Sequence, residues 1–282
     1  MPSINKPSYP AARKKSSAGK ESRLSIDKKY ALYEDSVQNH LGDIEFVNDE
    51  YQKIHHRQPL YLREDFCGTA AMACSWVRQS EKHQAWGIDL DKEPINYGIQ
   101  NHYAKLDNPE KNRMQYIKGN VMDNHHFKAD VVVAFNFSYQ IFKKRRDMLA
   151  YFRHVKKGLT SQGIFFIDIF GGTETRQELE EKTKHDNHTY YWDCDQYNPI
   201  THEALYYIHF RTRGVKYKKV FKYDWRLWTM AELKEIMEDA GFSKVLTYWE
   251  GEDKDGEGDG NFYLSEKEDN CESWVTYICG IP

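Results

Sequence analysis

The stretch from Leu60 to Asp91, LYLREDFCGTAAMACSWVRQSEKHQAWGIDLD, restricts the fold of this chain more than any other. Leu60, Tyr61 and Leu62 form an apolar run without helical period, and the acidic pair Glu64 and Asp65 follows it. A turn at Phe66-Cys67-Gly68-Thr69 leads into the small residues Ala70, Ala71, Ala73 and Cys74, which suit a helix. The pattern reads strand, tight turn, helix. A second apolar segment, Ala85-Trp86-Gly87-Ile88, ends in Asp89-Leu90-Asp91 about twenty residues after the turn, the spacing at which a doubly wound sheet sets an acid against a ribose. Turn and distant acid together point to a nucleoside cofactor.

The turn indicates which one. A dinucleotide site uses G-x-G-x-x-G, so that backbone approaches a pyrophosphate and a helix N-terminus meets its charge. Here Gly68 stands alone, preceded by two carboxylates that repel a pyrophosphate but attract the ammonium of an amino-acid tail. These residues resemble motif I of the class I S-adenosylmethionine-dependent methyltransferases, D/E-x-G-x-G-x-G, in a subgroup with an R-E-D-F-C-G-T string. Glu64 takes the acidic position and Gly68 the middle glycine, while Phe66 and Ala70 occupy the outer glycine positions. The resemblance implies an α/β fold built on a Rossmann-like, mostly parallel seven-stranded sheet, with S-adenosylmethionine as cofactor. It also implies cofactor contacts from Arg63, Glu64, Asp65, Phe66, Cys67, Gly68 and Thr69, and from Asp89 and Leu90 at the ribose.

The chain of 282 residues carries a formal net charge of −3, so no global field announces a nucleic-acid or membrane partner. Its five cysteines are odd in number and include no C-x-x-C pair, which argues against a disulfide framework and a zinc site. Reduced thiols, a cytoplasmic location and no metal are expected, and no apolar run is long enough to span a bilayer. Residues 1–25 are rich in Lys, Ser, Pro and Ala and read as a disordered basic tail, leaving 26–282 as the methyltransferase domain. That tail suits a solvated extension, a transit peptide or an RNA-brushing arm.

Asp27 is expected to cap a first helix with Tyr30, Leu32, Tyr33 and Val37 on its apolar side. In the resembling family such a helix covers the cofactor mouth, making Tyr33 and Gln38 lid candidates. Asn108-Pro109 reads as a break, and the strand Met114–Ile117 leads to Gly119-Asn120-Val121, which resembles the family segment whose polar residue reaches the adenine amino group. Ala129–Phe135 is the most strand-like run and ends at Asn136-Phe137-Ser138-Tyr139, where an open α/β sheet places its ligands. The tetrapeptide keeps the two ends of the D/N-P-P-Y/F/W sequence of amino-group methyltransferases, which leans toward nitrogen over oxygen as acceptor. Asn136 and Phe137 join the expected cofactor contacts, and Asn136, Tyr139 and His209 are the catalytic candidates.

After Gly171-Gly172 the alternation breaks. Three β-type runs between Thr189 and Tyr223 read as an antiparallel meander, an insertion over residues 185–225 after the fifth strand. Its aromatic residues Tyr191, Trp192, Tyr206 and Tyr207, with His209, either line an acceptor pocket or form the buried side of a small sheet. Tyr33, Trp192, Tyr206 and Arg226 are the candidate acceptor contacts. A capping box at Thr229 and Glu232 opens a late helix. The acidic segment 251–261, between two last strands, reads as a solvated hairpin loop. The expected activity is methyl transfer to a small-molecule acceptor without nucleic-acid or membrane partners; RNA or protein methylation and cofactor binding without turnover stay open.

Overall fold

The structure is a computed structural model that describes residues 23–254 and 258–282, so most of the expected basic tail lies outside the described residues. Helices α1 (Ile26–Val37) and α2 (His40–His55) precede strand β1 (Tyr61–Asp65), helix α3 (Ala71–Arg78) and strand β2 (Gln84–Asp89). Helices α4 (Lys92–Asn101) and α5 (Asn108–Arg113) then lead to β3 (Met114–Lys118) and β4 (Ala129–Ala134). Helix α6 (Arg145–Gly158) and β5 (Leu159–Gly171) follow. A separate antiparallel sheet comes next: β6 (Glu180–Lys184), β7 (Thr189–Tyr197), β8 (Glu203–Thr212) and β9 (Val215–Arg226). The chain finishes with α7 (Met230–Asp239), β10 (Lys244–Glu252), β11 (Gly258–Leu264) and β12 (Trp274–Ile281).

The central sheet runs in the order β11-β10-β12-β5-β4-β1-β2-β3. Strands β1 to β5 pair in parallel, and β12 lies antiparallel between β5 and β10. The expected Rossmann-like, mostly parallel sheet is present, with eight strands rather than seven. The additional strand, β11, begins in the last residues of the segment read as a solvated loop and runs beyond it, pairing with β10 from Tyr248 opposite Leu264 to Glu252 opposite Gly258. Its residues are largely exposed and glycine-rich, so no apolar alternation betrays it.

Every residue of β4 is buried because helices cover both faces of the sheet. Val131 and Val133 face one core with Ile44 and Tyr51 of α2 and Trp76 of α3. Val132 faces the other, with Met148 and Phe152 of α6 and Leu233 and Ile236 of α7. This division follows the two-residue period of a strand. Helix α1 belongs to neither core: its Leu32 packs on Ile208 and Phe210 of the second sheet. Ser25, not Asp27, caps it, accepting from the Lys28 amide. Asn108-Pro109 opens α5, where Asp107 and Glu110 form a capping box, and the expected box at Thr229 and Glu232 is also formed.

Candidate active site

The loop between β1 and α3 passes through the left-handed region three times, with φ of 57° at Phe66, 53° at Gly68 and 52° at Ala70. These are the three positions at which the sequence pattern has glycine, and two of them carry side chains here. Hydrogen bonds fix it: the Cys67 amide donates to Ile88 O at 3.0 Å, the Ala70 amide to Cys67 O at 2.7 Å, and the Gly68 amide to Asp89 Oδ2 at 2.8 Å. Room comes from Gly87 in β2, where a Cβ would approach Ala70 Cβ and Cys67 Sγ to 3.0 Å.

Above this loop lies a cavity of about 270 Å³ lined by Glu64, Phe66, Gly68, Asp89, Asp91 and, from α1 and β9, by Lys29, Tyr33 and Tyr223. Gly68 is open to it, since a Cβ there would meet nothing within 4 Å. Glu64 accepts from the Ala73 amide at the start of α3 at 2.9 Å. Burial raises its carboxyl to about 8, with the charges of Asp43 and Asp89 adding to the effect. Asp89 takes the Gly68 and Asp91 amides, one on each oxygen, and burial raises its carboxyl too.

The rest of the predicted cofactor set is divided. Asp65, Cys67 and Thr69 border the cavity. Both carboxylate oxygens of Asp65, however, are engaged by Arg63 at 2.6 and 3.0 Å and by Tyr151, while Arg63 also donates to Val121 O at 2.7 Å. Arg63 is therefore half of an internal ion pair on the opposite face of β1 and lines neither this cavity nor the next. Thr69 Oγ1 donates to Glu34 Oε1 at 2.7 Å, and the same oxygen meets His102 Nε2 at 2.7 Å, tying α1 to the loop. Leu90 is exposed, Val121 is buried, and the Asn120 side chain accepts from the Met122 amide; all three lie outside the cavity lining.

At the end of β4, Asn136 and Phe137 are again left-handed, with φ of 55° and 57°. The carboxylate of Asp168, on β5, holds them there by accepting both amides at 2.7 and 2.9 Å. Burial pushes this carboxyl up to about 8, against the lowering effect of the two amides. Consecutive left-handed residues without glycine are sterically costly and persist where the surroundings impose them. Asp168 is a residue that sequence reasoning missed; its signal is a lone acid within the apolar run Ile164 to Phe170.

A second cavity, of about 210 Å³, lies between β4, β5 and the antiparallel sheet. Trp192 and Tyr206, stacked at 4.7 Å, line it together with Phe137, Phe170, Tyr190 and Trp225. Among the described residues its charged lining side chains are Glu174 and Glu181. Tyr33, Asn136 and Tyr223 line both cavities, so these three form the wall between them. The Tyr33 and Tyr223 hydroxyls hydrogen-bond there, and burial raises Tyr33 to about 12.

Three candidates are placed elsewhere. The Tyr139 hydroxyl donates to Asp168 O at 2.7 Å in the core, and Tyr139 lines neither cavity. His209 is buried on the far face of the second sheet, with Nε2 3.1 Å from Asp193 and Nδ1 accepting the Lys219 amide. Tyr191 and Tyr207 share that far face, under Lys216 and Lys219 respectively, because strand residues alternate in direction. Arg226 stacks on Trp228 at 3.6 Å and donates to Glu232, also away from both cavities.

No family profile matches the sequence, and no curated protein matches it. Among solved structures, the chain is similar to an S-adenosylmethionine-dependent methyltransferase from Clostridium acetobutylicum, with 15% identity over 90% of this chain and 98% of that one and a TM-score of 0.65. It is similar to CalS10, an amino pentose methyltransferase from Micromonospora echinaspora with S-adenosylmethionine bound, at 11% identity, 93% and 99% coverage and a TM-score of 0.62. The sugar N-methyltransferase KedS8 from Streptoalloteichus matches at 13% identity, 95% and 98% coverage and a TM-score of 0.57. At these identities the likeness is one of fold.

Proposed function

We propose that this chain is an S-adenosylmethionine-dependent methyltransferase acting on a nitrogen of a small molecule. The observation that carries the reading is the common wall of Tyr33, Asn136 and Tyr223 between an acidic, loop-bounded cavity and an aromatic one. The first cavity fits the cofactor chemically. Gly68 leaves space for it, Asp89 retains lone pairs for ribose hydroxyls, and Glu64 suits an ammonium. Among the described residues Lys29, ion-paired with Glu93 at 2.7 Å, is the cation of its lining and suits a carboxylate, whereas phosphates would face Glu64, Asp89 and Asp91.

Bound there, the cofactor supplies an activated sulfonium methyl. The protein has then to align the acceptor, exclude water and leave its lone pair free. Burial away from water in this cavity disfavours the charged form of the acceptor and so favours a neutral amine. An amine nitrogen held at the wall of Tyr33, Asn136 and Tyr223 would take that methyl, the sulfur keeping the bonding pair, and the product ammonium would lose its proton to water. No side chain need act as a base. Among the described residues Glu174 and Glu181 are the lining charges and favour a basic acceptor over an acidic one, in keeping with CalS10 being an amino pentose methyltransferase and KedS8 a sugar N-methyltransferase.

Calorimetry with S-adenosylmethionine, S-adenosylhomocysteine and NAD tests the cofactor. Binding of the first two but not the third is expected, and Asp89→Ala should weaken it by about 1.5–3 kcal/mol, as for a hydrogen bond involving a charged group. Unchanged affinity in that variant would remove Asp89 from the site.

A further inference from the structure

Beside the aromatic cavity, on another side, lies a third, of about 570 Å³. The two share Glu174, Glu181, Ser273 and Val275, while the third shares no lining residue with the cofactor-type cavity. The three spaces therefore lie in series, with Tyr33, Asn136 and Tyr223 at one junction and Glu174 and Glu181 at the other. Glu250, Glu252 and Glu272 also line the outer space, and among the described residues its lining includes no basic side chain. Among the described residues none of these five glutamates is in an ion pair with Lys, Arg or His.

Such a cleft focuses negative potential and draws in cations. Burial and the neighbouring Glu174 raise the Glu181 carboxyl, and burial raises that of Glu250 against its bond from the Gly260 amide. A second observation points the same way independently. Trp249 and Trp274 line the outer space with ring centroids 5.2 Å apart, and indole faces are the strongest side-chain partners of an ammonium.

Resting on the methyl-transfer reading above, we propose that the acceptor is an α,ω-diamine or a longer polyamine. Its remote ammonium sits among Glu250, Glu272, Trp249 and Trp274, while its other nitrogen, neutral, reaches the wall of Tyr33, Asn136 and Tyr223. The aromatic cavity between takes the methylene chain. Positive charge is held where carboxylates are and is absent where the lone pair has to attack.

The test compares α,ω-diamines of graded length with primary monoamines of equal length. Binding is measured by calorimetry on full-length protein saturated with S-adenosylhomocysteine, and turnover in parallel with S-adenosylmethionine. The proposal expects diamines of one length to bind at least tenfold tighter than the matched monoamine and to be methylated. Glu250→Gln, Glu272→Gln and Trp249→Ala should each lower that ratio, and added salt should lower it for the wild type. Diamines that bind with this preference but gain no methyl would leave the binding assignment standing and overturn the methyl-transfer reading. Equal affinity for diamine and monoamine, or a ratio unmoved in all three variants, would overturn the diamine assignment whatever is methylated.

Discussion

Phe66 and Ala70 hold backbone angles that cost an L-residue about 1–2 kcal/mol each. The loop keeps its path because β2 offers Gly87 opposite and Asp89 takes the Gly68 amide. Beside it, Glu64 is buried with its carboxyl raised to about 8, so near neutral pH it is largely protonated until a cation arrives. A cationic ligand favours the ionised form, and its affinity should therefore rise as pH rises toward about 8. In Glu64→Gln that pH dependence should flatten, and the loss should be far larger for S-adenosylmethionine than for adenosine, which lacks the ammonium. Calorimetry of both ligands between pH 6 and 9 checks this, as values on the order of the carboxyl shift; equal losses for the two ligands would contradict it.

At the scale of elements, the turn after β4 depends on β5 through Asp168. The folded carboxyl titrates at about 8, while an unfolded one titrates near its ordinary value of about 3.9. Between these the folded chain binds the extra proton, so this contribution to stability is complete below about pH 4 and is lost as pH rises through about 8. Asp168→Asn should reduce the fall in Tm across that upper range, leaving the part due to Glu64; an unaltered pH profile would argue against the assignment. Helix α4 packs on the loop between β1 and α3 through Gly98, where a Cβ would come within 2.0 Å of Thr69 O. Gly98→Ala should cost about 1–3 kcal/mol, as overpacking does. Urea unfolding measures that loss, and cofactor binding should weaken in the same variant.

Elements were legible in the sequence where their signals are local. The strand-turn-helix at β1 and α3, the acid ending β2 and the capping box of α7 can all be read from residues a few positions apart. Strands β6 and β11 carry exposed polar residues and owe their form to pairing with β7 and β10, which no local pattern reports. The candidate site was legible in part for the same reason. Asp89 and Gly68 announce themselves by type and spacing, whereas the facing of Tyr206 inward and His209 outward depends on the register of β8 against β7.

At the scale of the whole molecule, the second sheet and α1 close over the carboxyl ends of β1 and β4, which is where an open α/β sheet holds its ligands. Trp192 and Tyr206 touch only the aromatic cavity, so Trp192→Ala or Tyr206→Ala should reduce turnover about tenfold or more while cofactor affinity stays within about twofold, as expected when acceptor alignment alone is lost. Steady-state kinetics and calorimetry on the same preparations separate the two effects. The most direct measurement of the central claim is incubation of the full-length protein with methyl-labelled S-adenosylmethionine and a whole-cell extract, with mass spectrometry of the small-molecule, RNA and protein fractions. The account predicts label on a small amine, lost with Asp89→Ala and diminished with Trp192→Ala. Label confined to RNA or protein, or none in any fraction while the cofactor is bound, would contradict it.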